Sequence, residues 1–462
     1  MLGLFLCLCF LTNPYIRGEI YKICHSIGGD FVDFPRIIGY TVIMSISKNR
    51  IKEVILENQR FVQSTTLIPR DIKIQMNFNY IFVGLRRAGK SYFLFQCIHD
   101  LISRGHLIDE MLYFNFEDDR LDGIELSDLD QLLQCYSEMF SYKPFIFLDE
   151  IQNVDGWEKF ARRLADTKYS VYITGSNAKM LSKEMATVLG GRFLVQNVFP
   201  FSFKEQLSVD GIKVDPVSVI RDKNEIVRGF ETYFYNGGLP ELHYAQGAEK
   251  RMWLSNLYNK IYFGDLISRY KIRNERAVKL LIKKIAESVK QPSSYTRLSN
   301  IISSCGSKVK AETVAEYLSY AEEAWLIFHV ENLFAKLAER ESVKKYYITD
   351  NGILNLFLTD SDTSLLENLV AVTLFRKKYE FYFYRSQDFE VDFVIPEEKT
   401  AIQVCYSLSD DETRKRELSA LYSLSNRYEL KKCLVISKDT EETVVYNGLE
   451  INVVPAWKWI LE

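Results

Sequence analysis

Asn79-Tyr-Ile-Phe-Val-Gly84-Leu-Arg-Arg-Ala-Gly89-Lys90-Ser91 decides how the rest of this chain reads. Tyr80–Val83 is a short run of β-branched and aromatic residues and predicts a buried strand. Gly84, Gly89, Lys90 and Ser91 satisfy G-x-x-x-x-G-K-[ST], the phosphate loop, without a mismatch. Two glycines let the main chain curl so that its N–H groups surround phosphate oxygens, and the helix that follows aims its positive end at them. In such a loop the lysine neutralises the β- and γ-phosphates and the serine holds Mg²⁺. Tyr92, Phe93, Phe95, Cys97 and Ile98 continue as an apolar helical pattern, so strand, loop and helix come in the required order. A chance glycine turn does not supply that order. The expected ligand is ATP with Mg²⁺, held by Gly84, Leu85, Arg86, Arg87, Ala88, Gly89, Lys90, Ser91 and Tyr92.

A second stretch carries the rest of the chemistry. Pro144 introduces Phe145-Ile-Phe-Leu-Asp149-Glu150, an apolar strand ending in paired acids, the Walker B pattern. Asp149 is expected to bind Mg²⁺ through its water shell, and Glu150 to polarise an attacking water. Alone, the pair would read as a solvated loop start. Tyr169–Thr174 predicts a further strand, ending Thr174-Gly-Ser176-Asn177. A polar side chain there reaches a γ-phosphate from a neighbouring strand end, so Ser176 or Asn177 is the expected sensor; ordinary turn chemistry uses the same residue types. Gly190-Gly-Arg192 precedes a strand at Phe193–Phe199. Arg192 is either a residue that stabilises phosphate charge across a subunit interface, which needs a homo-oligomer, or a local salt-bridge residue. The expected catalytic set is therefore Glu150, Lys90, Arg192, Ser176 and Asn177, and the metal set is Ser91 and Asp149.

A length of 462 residues exceeds one ordinary core. Hydrophobic content of 47% and charged content of 26% describe a soluble globular chain. The net charge of −3 excludes a global basic footprint, so any nucleic-acid contact needs a local patch. Eight scattered cysteines without a C-x-x-C pair read as reduced thiols in a cytoplasmic protein, with no zinc site. Leu2–Leu11 is apolar but too short to span a bilayer, and it lacks the flanks of a signal peptide. No membrane partner is expected. Residues 1–43 read as an extension upstream of a natural start at Met44, the alternative being a membrane-associated leader.

Alternating strands and helices after the loop predict an α/β fold, a P-loop parallel-sheet ATPase domain over 70–205. At 44–69 an amphipathic helix precedes it, with Ile51, Val54, Ile55 and Phe61 on its inner face. Phe199-Pro-Phe-Ser-Phe203 opens a helix with Ser202 as cap and Glu205 three residues on. Residues 206–265 read as a helical lid around Tyr235-Asn-Gly-Gly238-Leu-Pro240, whose glycines serve backbone geometry. Over 266–345, Arg269, Lys271, Arg273, Arg276, Lys279, Lys283 and Lys284 concentrate positive charge. Helix, turn, helix and strand there predict a winged-helix-like domain. Its second helix, with Lys308 and Lys310 near its start, is expected in a major groove of duplex DNA; a protein-contact module with a solvated basic face is the alternative. Residues 346–462 alternate again as a separate α/β domain with a hairpin across Phe381–Ile395.

The order of these motifs resembles a family of prokaryotic AAA-like ATPases with a carboxy-terminal domain of unknown function. The matching stretches are Gly84-Leu-Arg-Arg-Ala-Gly-Lys-Ser91, Phe147-Leu-Asp-Glu-Ile-Gln152, Ile173-Thr-Gly-Ser-Asn177, Gly191-Arg192 with Phe199-Pro-Phe-Ser-Phe203, Gly237-Gly-Leu-Pro240, Tyr347-Ile-Thr-Asp-Asn-Gly352, Leu366-Glu-Asn-Leu369 and Glu390-Val-Asp-Phe-Val-Ile395. The resemblance implies an ATP-binding domain, a winged-helix-like middle and a tail similar to restriction-endonuclease folds. A nuclease of that fold needs an acid on its first helix, an acid on a strand and Glu-x-Lys on the next strand, two acids holding Mg²⁺ while the lysine supports the attacking water. Glu367 and Asp392 match the first two places, but the third reads Gln403-Val-Cys405, which offers a neutral oxygen and no ammonium. The tail, 346–462, is therefore expected to be a non-cleaving relic. The expected function is ATP hydrolysis coupled to a DNA or protein partner. The alternatives are a nucleotide-gated DNA-binding switch with little turnover and an ATP-regulated nuclease.

Overall fold

Five apolar runs build the sheet that carries the phosphate loop: β1 Asn79–Val83, β2 Met111–Asn115, β3 Phe145–Asp149, β4 Ser170–Gly175 and β5 Phe193–Asn197. This is seen in a computed structural model that describes residues 46–176 and 187–462. The expectations for 1–43 and for Asn177 lie outside the described residues. The strand order is β2-β3-β4-β1-β5, and every pairing is parallel. A parallel sheet is covered on both faces, which is why its inner strands are apolar at consecutive positions. Edge strand β5 departs from that rule and leaves Leu194 and Val195 exposed. The registers Val83↔Gly175 and Leu148↔Ile173 align the carboxyl ends of β1, β4 and β3. Because β4 lies between β1 and β3, the residues after Ile173 fall between the phosphate loop and the paired acids.

Helices α1 (Lys48–Ser64), α2 (Lys90–Ser103), α3 (Leu129–Met139) and α4 (Trp157–Asp166) belong to the same layer structure. Helix α1 buries Ile51, Val54, Ile55 and Val62. Phe61, expected on that face, is instead 55% exposed, because it falls at the margin of the stripe that Val62 completes. Helix α5 (Phe203–Val209) starts at a reciprocal cap: the Glu205 N–H donates to Ser202 Oγ at 3.1 Å, and the Ser202 N–H donates to Glu205 Oε2 at 2.7 Å.

The chain continues through α6 (Lys223–Asn236) and α7 (Ala248–Lys260) into a π-helical segment, Ile261–Ser268. Next come α8 (Glu275–Glu287), α9 (Tyr295–Ser304) and α10 (Ala311–Glu323). They accompany an antiparallel sheet in the order β6 (Ser293–Ser294), β8 (Val343–Ile348), β7 (Ile327–Val330). Strand β8 crosses the boundary drawn at 345/346, so the middle and tail regions share an element. The tail sets α11 (Asp362–Arg376) and α12 (Asp411–Ser425) against a sheet of six strands. These are β9 Tyr382–Arg385, β10 Glu390–Ile395, β11 Thr400–Val404, β12 Lys432–Ser437, β13 Glu442–Tyr446 and β14 Leu449–Pro455, with β9 and β10 forming the expected hairpin. No helix among the described residues is long and apolar enough to cross a membrane.

One apolar cluster runs from Ile51 to Trp459, and a glycine seam ties its halves. Asp350 accepts the Gly238 N–H at 2.8 Å with Oδ2 and the Gly352 N–H at 2.9 Å with Oδ1. Burial pushes its carboxyl up to about 6, although those N–H groups pull the other way. The Phe201 N–H donates to the Gly238 carbonyl at 2.6 Å, and a Cβ on Gly238 would stand 2.1 Å from the Phe201 carbonyl oxygen. Backbone meets backbone there, so no side-chain rotation relieves the collision. Gly238→Ala is expected to cost about 1–3 kcal/mol, read as a lowered midpoint in urea unfolding. A midpoint equal to the parent's would show that the seam gives way freely.

Candidate nucleotide site

The loop geometry follows from three backbone positions. Gly84 has φ +153°, and a Cβ there would lie 2.1 Å from the Val198 carbonyl oxygen. Arg87 has φ +61° and Gly89 has φ +94°, so the chain turns left-handed twice before α2 begins at Lys90. Leu85 and Ala88 are buried and present backbone only. Lys90 is 4% exposed. Its Nζ donates to the Leu85 carbonyl at 3.1 Å and the Gly84 carbonyl at 3.3 Å, and lies 3.7 Å from Glu150 Oε1.

The acids at the end of β3 differ from each other. Asp149 is fully buried: burial and the charge of Glu150 push its carboxyl up, while hydrogen bonds from Thr174, Ser91 and Tyr113 pull it down. The Tyr113 hydroxyl donates to Oδ2 at 2.8 Å, and the Thr174 hydroxyl donates to Oδ1. Glu150 has φ +52° and its N–H donates to Thr174 Oγ1 at 2.9 Å. Burial opposes its charge, but Lys90, Gln152, Arg86 and Ser176 together outweigh that, so its carboxyl is held below the usual range. Gln152 Nε2 donates to Glu150 Oε2. Ser176 Oγ is buried without a hydrogen-bond partner among the described residues, yet close enough to Glu150 to lower its carboxyl.

Lys90 and Glu150 meet at a cavity of about 640 Å³ that Arg86, Arg87, Gly89, Ser91 and Tyr92 also line, a size that suits a nucleotide. Phe61, Ile68, Tyr92 and Tyr244 give it an apolar flank. Arg87 reaches Glu241 at 2.6 Å in a half-exposed pair, whereas Arg86 is largely buried and pairs with Asp265 and Glu117. Arg192 is not brought to the loop. It precedes β5, whose Phe193 pairs with Asn79 at the opposite end of β1, and its guanidinium is taken by Asp166 and by the carbonyls of Leu189 and Gly190. The local salt-bridge alternative describes it within this chain.

Three supporting residues escape the motif reading. Arg70, in a stretch without regular structure, is buried and donates to the Ala88 carbonyl of the loop at 3.0 Å, to Glu205 Oε1 at 3.0 Å and to the Phe199 carbonyl at 2.6 Å. Thr174 links both acids, and Tyr113 anchors the first. No spacing rule marks Arg70. The sole sequence signal for the other two is a polar atom inside an apolar strand.

Two regions outside the cavity carry charges that bear on what was expected of them. The helix expected in a DNA groove, α10, exposes Glu312 and Glu316, which repel phosphate, and Ser319 beside them. Basic residues also line α8, where Arg276, Lys279 and Lys283 are exposed at helical spacing, with Lys271 and Arg273 exposed just before it, while Lys308 and Lys310 are exposed just before α10. In the tail, Glu367 and Asp392 do come together, but an ammonium fills the space between them. It belongs to Lys345 of β8, whose Nζ lies 3.1 Å from Glu367, 2.7 Å from Glu390 and 3.4 Å from Asp392. Gln403 accepts the Asp392 N–H at 2.7 Å and donates to Glu417 at 2.6 Å. Among the described residues no group of three or more His, Cys, Asp or Glu is placed to hold a metal.

Comparison with known proteins agrees with this architecture. Residues 77–207 match the AAA domain family, and 227–364 and 363–459 match two domains of unknown function. "Uncharacterized protein MJ1544" of Methanocaldococcus jannaschii is 34% identical over 426 residues, covering 89% of this chain and 95% of that one. An "Uncharacterized protein" of Haemophilus influenzae is 29% identical over 389 residues, covering 82% and 94%. Among solved structures, AMPPCP-bound DnaA from Aquifex aeolicus matches at 12% identity over 60% of this chain and 88% of that one, with a TM-score of 0.24, too slight a likeness to argue from. The AAA domain is a nucleotide-binding P-loop fold, and the chain belongs to the family of AAA-domain proteins that includes MJ1544.

Proposed function

We propose that this protein binds ATP with Mg²⁺, hydrolyses it, and couples its nucleotide state to a partner. The observation that carries the reading is the Glu150 carboxyl group, set 3.7 Å from the phosphate-loop lysine at the rim of a nucleotide-sized cavity. Lys90 and the loop amides hold the phosphates. The Ser91 hydroxyl and Asp149 carboxylate are hard oxygen donors already in hydrogen-bond contact, the set that Mg²⁺ prefers, and the ion supplies charge neutralisation at the β- and γ-phosphates. Glu150 orients the attacking water and accepts its proton, and Ser176 offers its free hydroxyl to the γ-phosphate. The partner favoured by charge is duplex DNA, bound through its phosphates on the Arg276, Lys279 and Lys283 face, with a protein partner as the alternative. The tail is a non-cleaving domain of endonuclease-like ancestry, since Gln403 and Cys405 stand where the third-position acid and lysine would be.

Calorimetry of the full chain with ATP and Mg²⁺, followed by phosphate release with and without duplex DNA, tests this. Lys90→Ala removes a charged donor and is expected to weaken ATP binding roughly 10- to 100-fold, the worth of a charge-assisted hydrogen bond. Faster release with DNA supports the polyanion partner, and no change points to protein. No ATP uptake by the parent, or equal uptake by Lys90→Ala, would end the reading.

A further inference from the structure

A buried ion triad joins the phosphate loop to the basic module. Asp265, in the π-helical segment Ile261–Ser268, is 2% exposed. Arg86 grips it twice, Nε to Oδ2 at 3.0 Å and Nη2 to Oδ1 at 3.1 Å. Arg269 reaches Oδ1 from the other side at 2.9 Å. A two-pronged guanidinium–carboxylate contact fixes orientation as well as distance. Arg86 also lines the cavity with Lys90 and Ser91, and its charge acts on Glu150. Its guanidinium therefore stands on the side where a terminal phosphate meets the water-orienting acid. It has three claimants: Asp265, Glu117, which takes Nη1 at 3.0 Å, and that phosphate.

The second half of the device is Arg269. Its Nη1 is buried with no hydrogen-bond partner among the described residues. Such a donor is costly to leave unpaired, and Asp265 is the carboxylate already beside it. The segment between them is π-helical, a register fault in the helix of the kind associated with functional positions. It leads directly into Lys271, Arg273 and α8.

We propose that Arg86 exchanges partners, releasing Asp265 for the terminal phosphate of a bound triphosphate, and that the freed Asp265 closes on Arg269 and shifts the π-helical segment under the basic module. This rests on the loop being a triphosphate site. ADP carries no γ-phosphate and leaves Arg86 on Asp265, so the triad distinguishes triphosphate from diphosphate. Linkage makes the effect reciprocal: a polyanion that prefers the shifted module raises ATP affinity by the factor by which ATP raises its own.

Calorimetric titration of the full chain with AMPPCP and with ADP tests the exchange. Asp265→Asn removes the competitor for Arg86, so AMPPCP binding tightens on the order of tenfold while ADP binding stays as in the parent. Arg269→Gln removes the alternative partner, so AMPPCP binding weakens by a similar factor, again without change for ADP. A structural defect would weaken both ligands in both variants, and that result overturns the exchange. Should Asp265→Asn not fold, hydrogen exchange of Ile261–Arg269 in the parent decides instead. A change with AMPPCP and none with ADP is expected; equal changes, or none, overturn the proposal. Absence of any nucleotide uptake by the parent defeats the triphosphate reading itself, whereas uptake without opposite shifts defeats the exchange alone.

Discussion

Glu150→Gln will lower the rate of ATP hydrolysis by roughly 10²- to 10⁴-fold, the range lost with a positioned general base, and will leave ATP bound. The loss follows from how the residue is held. Its backbone is left-handed at φ +52°, its N–H is fixed by Thr174, and its carboxylate takes a hydrogen bond from Gln152. Glutamine keeps the volume and one acceptor oxygen but accepts no proton from water. ATP binding survives because Lys90, Ser91 and the loop backbone are untouched, and removing a negative charge from beside the triphosphate favours the ligand. The pH dependence follows from the lowered carboxyl of Glu150. A base whose value lies below the usual carboxylate range stays ionised down to acid pH, so turnover limited by it does not decline until the pH falls below that range. Phosphate release across pH, paired with calorimetric ATP affinity, checks both statements. Parent-like turnover in Glu150→Gln would assign the water to another group.

What the sequence disclosed and what it withheld divide along a physical line. The phosphate loop and the paired acids are local patterns, in which a few consecutive residues satisfy one geometric demand, and the structure brings Lys90, Ser91, Asp149 and Glu150 together. The capping box at Ser202 and Glu205 is local in the same way. Arg70 is the opposite case: its partners Ala88, Phe199 and Glu205 lie up to 135 positions away, and nothing adjacent announces them. Strand order is equally invisible in a single strand, yet it places Thr174 between the loop and the acids. The acidic face of α10 was legible as Glu312 and Glu316, but the helix-turn-helix pattern drew attention to the lysines before it. Asp265 lies 179 positions from Arg86, and no sequence pattern joins the two.

Lys345→Met will destabilise the protein by about 3–5 kcal/mol at neutral pH, the usual cost of leaving a buried charge without its partner. Lys345 is wholly buried and lies within 3.4 Å of three carboxylates. Burial opposes its charge, but Glu367, Tyr347, Asp392 and Glu390 outweigh that and hold it ionised. Glu367 is pushed up to about 7, by burial first and by Asp392, with Lys345 pulling the other way. A carboxyl raised in the folded state costs nothing below its unfolded value near 4.3 and weakens the fold progressively as pH rises through 7. Without Lys345 that upward push grows, and the penalty extends to higher pH. The gap between parent and variant should therefore be small near about pH 5 and widest above about pH 8. Urea unfolding of both proteins at the two pH values measures it. A gap independent of pH would reduce Lys345 to a packing residue. Since Lys345 belongs to β8, and hence to the sheet of the middle region, the same ion cluster fastens the tail to the module that precedes it. Retaining the lysine secures that junction, because its ammonium balances Glu367 and Asp392 at once.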